Sequence, residues 1–145
     1  MLSPSRYRIC AVGKVKKPWI QDGINSYMKR LPGLTITEIR DSNPKKEACS
    51  ISSSLRKNEF LIALTEEADT ISSVDLASRL QKLENHRLVF LVGGANGLYS
   101  DIKESANWQL SLSPLTFPHE IARLLLIEQL YRAHAILQGS PYHRQ

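Results

Sequence analysis

The sequence predicts an α/β fold, a parallel sheet flanked by helices on both faces. Two observations carry this. Strand-like and helix-like stretches alternate five times along 145 residues. FLIAL (60–64) and RLVFLVG (87–93) are runs dominated by apolar residues, without polar–apolar alternation, as expected of strands buried on both faces of a parallel sheet.

In chain order, RYRICAVG (6–13) reads as the first strand. PWIQDGINSYMKRL (18–31) reads as a helix: Pro18 suits the first helical position, and Trp19, Ile20, Ile24, Tyr27, Met28 and Leu31 recur at three-to-four spacing before Pro32-Gly33 stops it. LTITEIR (34–40) is rich in β-branched residues and suits a strand. After the turn DSNP, KKEACSISSSLRKN (45–58) has four serines and few strong apolar positions, so a weaker helix is expected there. FLIAL is the third strand. SSVDLASRLQKLEN (72–85) begins on a serine cap and lines up Val74, Leu76, Leu80 and Leu83. RLVFLVG is the fourth strand, a short helix is expected over about 100–106, and WQLSLS (108–113) returns as the fifth. The last helix runs from Pro118 to about Gln138 and ends at Gly139, a residue type favoured just past a helix. Its apolar residues, Ile121, Leu124, Leu125, Leu126, Ile127, Leu130, Tyr131, Ile136 and Leu137, cover more than one side. Burial against a second subunit and a central position in the fold both account for that.

The length fits one domain, 1–145, able to remove roughly 70% of its unfolded surface from water. Apolar residues are 42% and charged residues 23%, and no apolar run approaches the ~18 residues of a membrane span. The amino-terminal stretch MLSPSRYRICAVG lacks the pattern of a cleaved signal, so a cytoplasmic protein is expected. Cys10 and Cys49 have no metal-ligand or CxxC spacing and read as reduced thiols. Net charge is +5 and unevenly spread: residues 1–60 hold 12 Lys/Arg against 5 Asp/Glu, and residues 61–145 hold 7 against 9. The basic excess lies wholly in the first part, where a polyanion such as nucleic acid would meet it.

Three stretches could carry chemistry. FLVGGANGL (90–98) places three glycines after a buried strand, yet matches neither GxGxxG nor GxxxxGK[ST]. A phosphate cradle is therefore disfavoured. Glycines at that position also allow positive φ and close backbone approach to another kind of ligand, at the carboxyl edge where open α/β sheets bind. SLSPLTFPHE (111–120) passes through a turn into the last helix, gathering free amides, with Glu120 placed near the helix amino end and His119 beside the ligand edge. The terminal SPYHRQ offers an aromatic ring, an imidazole and a guanidinium at Tyr142, His143 and Arg144, types able to stack on a base, take up a proton and grip phosphate. The histidines show no metal spacing, and no metal is expected.

AVGKVKKPWIQDGINSYMKRL, FLVGGANGL, LSLSPLTFPHEIARLLLIEQLYRAHAI and PYHRQ, in this order, resemble the RlmH family, SPOUT-class methyltransferases acting on 23S ribosomal RNA. The resemblance runs from about Cys10 to the end of the sequence. It implies a SPOUT-type sheet whose carboxyl-terminal part is threaded into a deep trefoil knot, a departure from the rule against threading. It also implies a homodimer packed through the knot and last helix, and S-adenosylmethionine as cofactor. By position, the cofactor site would include Leu64, Gly94 and the turn Leu112, Ser113, Pro114, Leu115, Thr116, Phe117 and Pro118. The family's reaction methylates N3 of pseudouridine 1915, in the usual bacterial numbering, with the 70S ribosome as partner. On that resemblance His143 would assist removal of the N3 proton, Arg144 would meet RNA phosphate or the developing anion, and Tyr142 would orient the base or the tail. Lys14, Lys16, Lys17, Lys29 and Arg30 would extend the RNA surface.

Two departures stand out. Leu64-Thr65 replaces a Leu-Asp pair common in the family, leaving that contact to Glu66 or Glu67 or to no residue, and the serine-rich segment 43–58 looks shortened. Other readings are a SPOUT enzyme acting on transfer RNA, a non-catalytic RNA-binding assembly module, and a flavodoxin-like nucleotide domain, for which no phosphate cradle is evident.

Overall fold

The computed structural model describes residues 2–144. Five strands, β1 (Tyr7–Val12), β2 (Thr35–Ile39), β3 (Glu59–Leu64), β4 (Arg87–Val92) and β5 (Trp108–Leu110), form one sheet in the order β2-β1-β4-β3-β5, and every pairing is parallel. Helices α1 (Pro18–Met28), α2 (Pro44–Ser54), α3 (Ser73–Lys82), α4 (Ser100–Ser105) and α5 (His119–Leu137) alternate with them.

The pleat divides the apolar strand residues between two cores. Ile9, Ala11, Ile62, Leu88, Phe90 and Val92 pack with α1, α3 and α5. Cys10, Val12, Ala63, Val89 and Leu91 face the other way, against Ala48 and Ile51 of α2 and Ile102 of α4. This two-sided burial explains why β1 and β4 contain runs of apolar residues. The apolar surplus of α5 is largely explained within one chain: the helix lies between α1 and α3, with Leu126, Ile127, Leu130 and Ala133 in the core. Gly23 of α1 allows the close approach, since a Cβ there would sit 3.2 Å from Leu124.

Several boundaries differ from the sequence reading. The first helix ends at Met28, and Gly33, at φ +94 and packed on Ser5, turns the chain into β2. The serine-rich segment is helical over Pro44–Ser54, capped by the Asn43 side chain on Lys46 N and anchored by Ile51. The fifth strand stops at Leu110, after which the Ser111 hydroxyl bonds Ser113 O in a turn. At the end of α5, Gly139 adopts φ +72, and Ser140 N returns to Ala135 O.

A buried ion pair crosses the second core. Arg8 of β1 donates through Nε and Nη2 to Glu59 of β3 at 3.1 and 2.7 Å, and also bonds Thr37 Oγ1 and the Ser54 carbonyl. Burial alone would raise the Glu59 carboxyl, but the bonds from Arg8 and from Arg56 N outweigh it and hold the group below its usual range.

Candidate functional site

Because all strands are parallel, their carboxyl ends share one edge, and the loops after β3, β4 and β5 converge there around a cavity of about 360 Å³. Leu64–Glu67 supply one wall, Val92–Leu98 a second, and the turn after β5 with the first residues of α5 a third. Thr65 N bonds Leu110 O, and the Thr116 hydroxyl donates to Glu66, so the first and third walls are tied together.

The glycine loop has a separate reason for each glycine. A Cβ on Gly93 would lie 2.5 Å from the Gly97 carbonyl carbon and 2.7 Å from Leu98 N, closer than real atoms approach. Gly97 sits at φ +75 in open space, where the backbone angle itself favours glycine. Gly94 bonds Gly97 N through its carbonyl, and a Cβ there would meet Val12 Cγ1 at 3.0 Å. The tightest steric demand thus falls on Gly93 rather than on Gly94.

The turn 111–118 leaves Leu115 71% exposed and directs Phe117 into the cavity lining. Glu120 does not serve its own helix end. Its Oε1 accepts from Lys16 N at 2.9 Å and Lys17 N at 3.2 Å, where Lys17 caps α1. Burial works to raise this carboxyl, but the two amides prevail and lower it. Arg123, 2% exposed, donates to Glu38 at 2.7 Å and to the Gly13 carbonyl at 3.0 Å. The first turn of α5 is thereby fastened to the β1–α1 loop, where His119 Nε2 also lies close to Gly13.

The tail folds back along the other end of α5. Tyr142 packs edge-on against Tyr131 at 4.7 Å between centroids; its hydroxyl donates to Glu128 Oε2 at 2.8 Å and stands 3.2 Å from the Tyr27 hydroxyl. Burial, reinforced by these bonds, pushes the Tyr142 phenol up. Arg132, paired with Glu128, lies over the Tyr142 ring and places Nη1 3.2 Å from His143 Nδ1. Arg144 is exposed.

Of the residues singled out in the sequence, Leu64, Gly94, Leu112, Ser113, Leu115, Thr116, Phe117 and His119 line the cavity. Pro114 and Pro118 shape the turn without lining it, and Tyr142, His143 and Arg144 are not among the lining residues of their own chain. Glu128 and Arg132, which seat the tail, lie about 14 and 20 Å along the helix axis from His119. The sequence reading assigned no role to Lys103 or Ala122. Ala122 was accessible, being one turn beyond His119, whereas Lys103 sits on a six-residue helix with no motif to mark it. Among the described residues no cluster of His, Cys, Asp or Glu could hold a metal, and no helix is long and apolar enough to cross a membrane.

Comparison with known proteins places these features in context. A family model described as "Predicted SPOUT methyltransferase" matches residues 5–143. The "Ribosomal RNA large subunit methyltransferase H" of Parasynechococcus marenigrum (strain WH8102) is 66% identical over 143 residues, 99% of each chain. The protein of that name from Prochlorococcus marinus (strain MIT 9211) is 65% identical over 144 residues, again 99% of each. Among solved structures, a probable methylase family protein from Haemophilus influenzae Rd KW20 superposes with TM-score 0.61 at 13% identity, over 94% of this chain and 67% of that one, a likeness of fold.

Proposed function

The chain belongs to the ribosomal RNA large subunit methyltransferase H family of SPOUT methyltransferases, and from that premise we propose that it methylates N3 of pseudouridine 1915 in 23S ribosomal RNA, on the assembled 70S ribosome, with S-adenosylmethionine as methyl donor. The observation that supports this reading best is the convergence of the β3 end, the glycine loop and the turn after β5 on one cavity at the carboxyl edge of the sheet.

The residues present fit that cofactor. The volume, about 360 Å³, is within the ~300–1,000 Å³ of small-ligand sites. Leu64, Leu98, Leu112 and Phe117 offer apolar walls for an adenine ring, Gly93, Gly94 and Gly97 leave their backbone polar groups without side chains over them, and Glu66 favours a cationic ligand while Glu67 pairs with Lys103 at 3.7 Å. Bound there, S-adenosylmethionine supplies an electrophilic methyl group on a positively charged sulfur. The protein's part is then to position and enclose. Gly93 lets the loop close tightly, the Thr116–Glu66 bond holds two walls together, and Phe117 lines the third. Fixing two reactants in line supplies much of the acceleration of such a displacement.

The acceptor base is assigned to Tyr142, His143 and Arg144. Since the seat of the tail is far from its own cavity, the reading includes a homodimer in which each tail serves the partner's cofactor; Trp19, 61% exposed at the start of α1, suits such packing. The basic residues Lys14, Lys16, Lys17, Lys29 and Arg30, all exposed, extend the RNA surface, and the setting is the cytoplasm.

The test is incubation of labelled cofactor with 70S particles lacking the modification, followed by mapping of the methylated base. Label at N3 of pseudouridine 1915 is expected. Label on transfer RNA alone would move the chain to another SPOUT substrate, and calorimetry without cofactor binding would leave an RNA-binding assembly module.

A further inference from the structure

The guanidinium of Arg132 has only N–H donors, so the His143 Nδ1 that faces Nη1 at 3.2 Å has to present its lone pair. A neutral imidazole carries one N–H, and with Nδ1 accepting, that proton is on Nε2. The Nε2 atom is buried and has no hydrogen-bond partner among the described residues. Buried donors are rarely left without an acceptor, and because this one is covered within its own chain, an acceptor from outside meets it only when the cover over the tail shifts.

Resting on the function proposed above, we propose that Arg132 is a positioning residue that holds His143 as its Nε2–H tautomer, and that His143 serves the acceptor base as a hydrogen-bond donor rather than as the base. This replaces the proton-removing role expected from the sequence. N3 of the acceptor ring lies between two carbonyl groups. When the N3 proton leaves to water, its electron pair stays on the ring and spreads onto the flanking oxygens. An N–H aimed at one of them stabilises that charge and so makes N3 the nucleophile, as preorganised donors do for other developing oxyanions.

The seat of Arg132 is itself built for this. Glu128 receives Nε and Nη2 at 3.4 and 2.8 Å, and the Tyr142 ring lies 4.9 Å beneath the guanidinium carbon, which leaves Nη1 for His143. Glu128 also takes the Tyr142 hydroxyl, so one carboxylate fixes both the arginine and the turn that brings His143 to it.

Two measurements decide the matter. In full-length protein with ¹⁵N-labelled histidine, long-range ¹H–¹⁵N spectra should show His143 protonated at Nε2 and bare at Nδ1; Arg132→Met should lose that preference and Arg132→Lys, still donor-only, should keep it. A wild-type His143 protonated at Nδ1 overturns the proposal whatever the activity. In single-turnover methylation of unmodified 70S particles, His143→Gln, whose amide donates but has no basic nitrogen, should stay within about tenfold of wild type, while His143→Ala falls by about a hundredfold or more. Glutamine as inactive as alanine, with both variants folded by their amide spectra, overturns it too. Wild-type protein that methylates nothing would instead overturn the function proposed above, and the tautomer measurement would still read the Arg132 arrangement.

Discussion

The Glu120 carboxylate lies 2.9 Å from the backbone nitrogen of Lys16, a contact between the first turn of α5 and the amino end of α1. Helix amino ends leave backbone donors without partners, and here the acceptor comes from the far end of the chain. Replacing Glu120 by Ala should cost on the order of 1 kcal/mol, the size of a lost cap. Glu120→Gln, which keeps an acceptor oxygen, should cost less. Urea unfolding at neutral pH measures both.

The glycine loop predicts a graded series. Gly93→Ala drives a Cβ into the Gly97 backbone and should abolish calorimetric binding of S-adenosylmethionine. Gly97→Ala meets only an unfavourable backbone angle and should cost about 1 kcal/mol, with Gly97→Asn milder because asparagine visits that region. If Gly94→Ala proves more damaging than Gly93→Ala, the reading of this wall is wrong.

Arg8 and Glu59 should behave as a buried pair. Arg8→Met leaves the carboxylate alone and should destabilise by about 3–5 kcal/mol, whereas Arg8→Met with Glu59→Leu should recover most of the loss. The pH dependence follows from sign. The folded-state value of Glu59 is lowered, so its stabilisation is present above the ordinary carboxylate range near ~4.3 and is lost as pH falls through the lowered value. The lowered Glu120 adds in the same direction. Urea midpoints of the wild type should fall steeply below about pH 4, and those of the double variant less so.

Exposed Lys14, Lys16 and Lys17 should meet RNA phosphate. Changing all three to Ala should flatten the plot of log affinity against log salt by about 2, at ~0.7 per contact. An unchanged slope would exclude the patch. The Glu120 bonds would survive, since they use backbone nitrogens.

The alternation of elements and the two-faced strands were legible because they are written in local periodicity: Phe90 and Leu91 are both buried, one toward each core. The strand order β2-β1-β4-β3-β5 was not, because nothing local to β5 says that it pairs with β3. At the cavity, Gly94, Leu112 and Phe117 could be found from motifs, whereas Glu120 was assigned to the wrong helix end because its partners, Lys16 and Lys17, lie about a hundred residues away in sequence. The contact of Tyr142 with Tyr27, 115 residues away in sequence, has no local signal either, and it gives the tail a defined seat.

One helix joins the cavity to the tail: His119 lines the cavity at its first residue, and Glu128 and Arg132 hold the tail further along. A helix is a stiff rod with a fixed advance of ~1.5 Å and ~100° per residue. The tail's offset from the cavity of its own chain is therefore set by how many residues separate these points. A single inserted alanine between Ile127 and Glu128 would swing the seat a quarter-turn round the axis and carry Leu130 and Ala133 out of the core with it. What this stretch must conserve is its length.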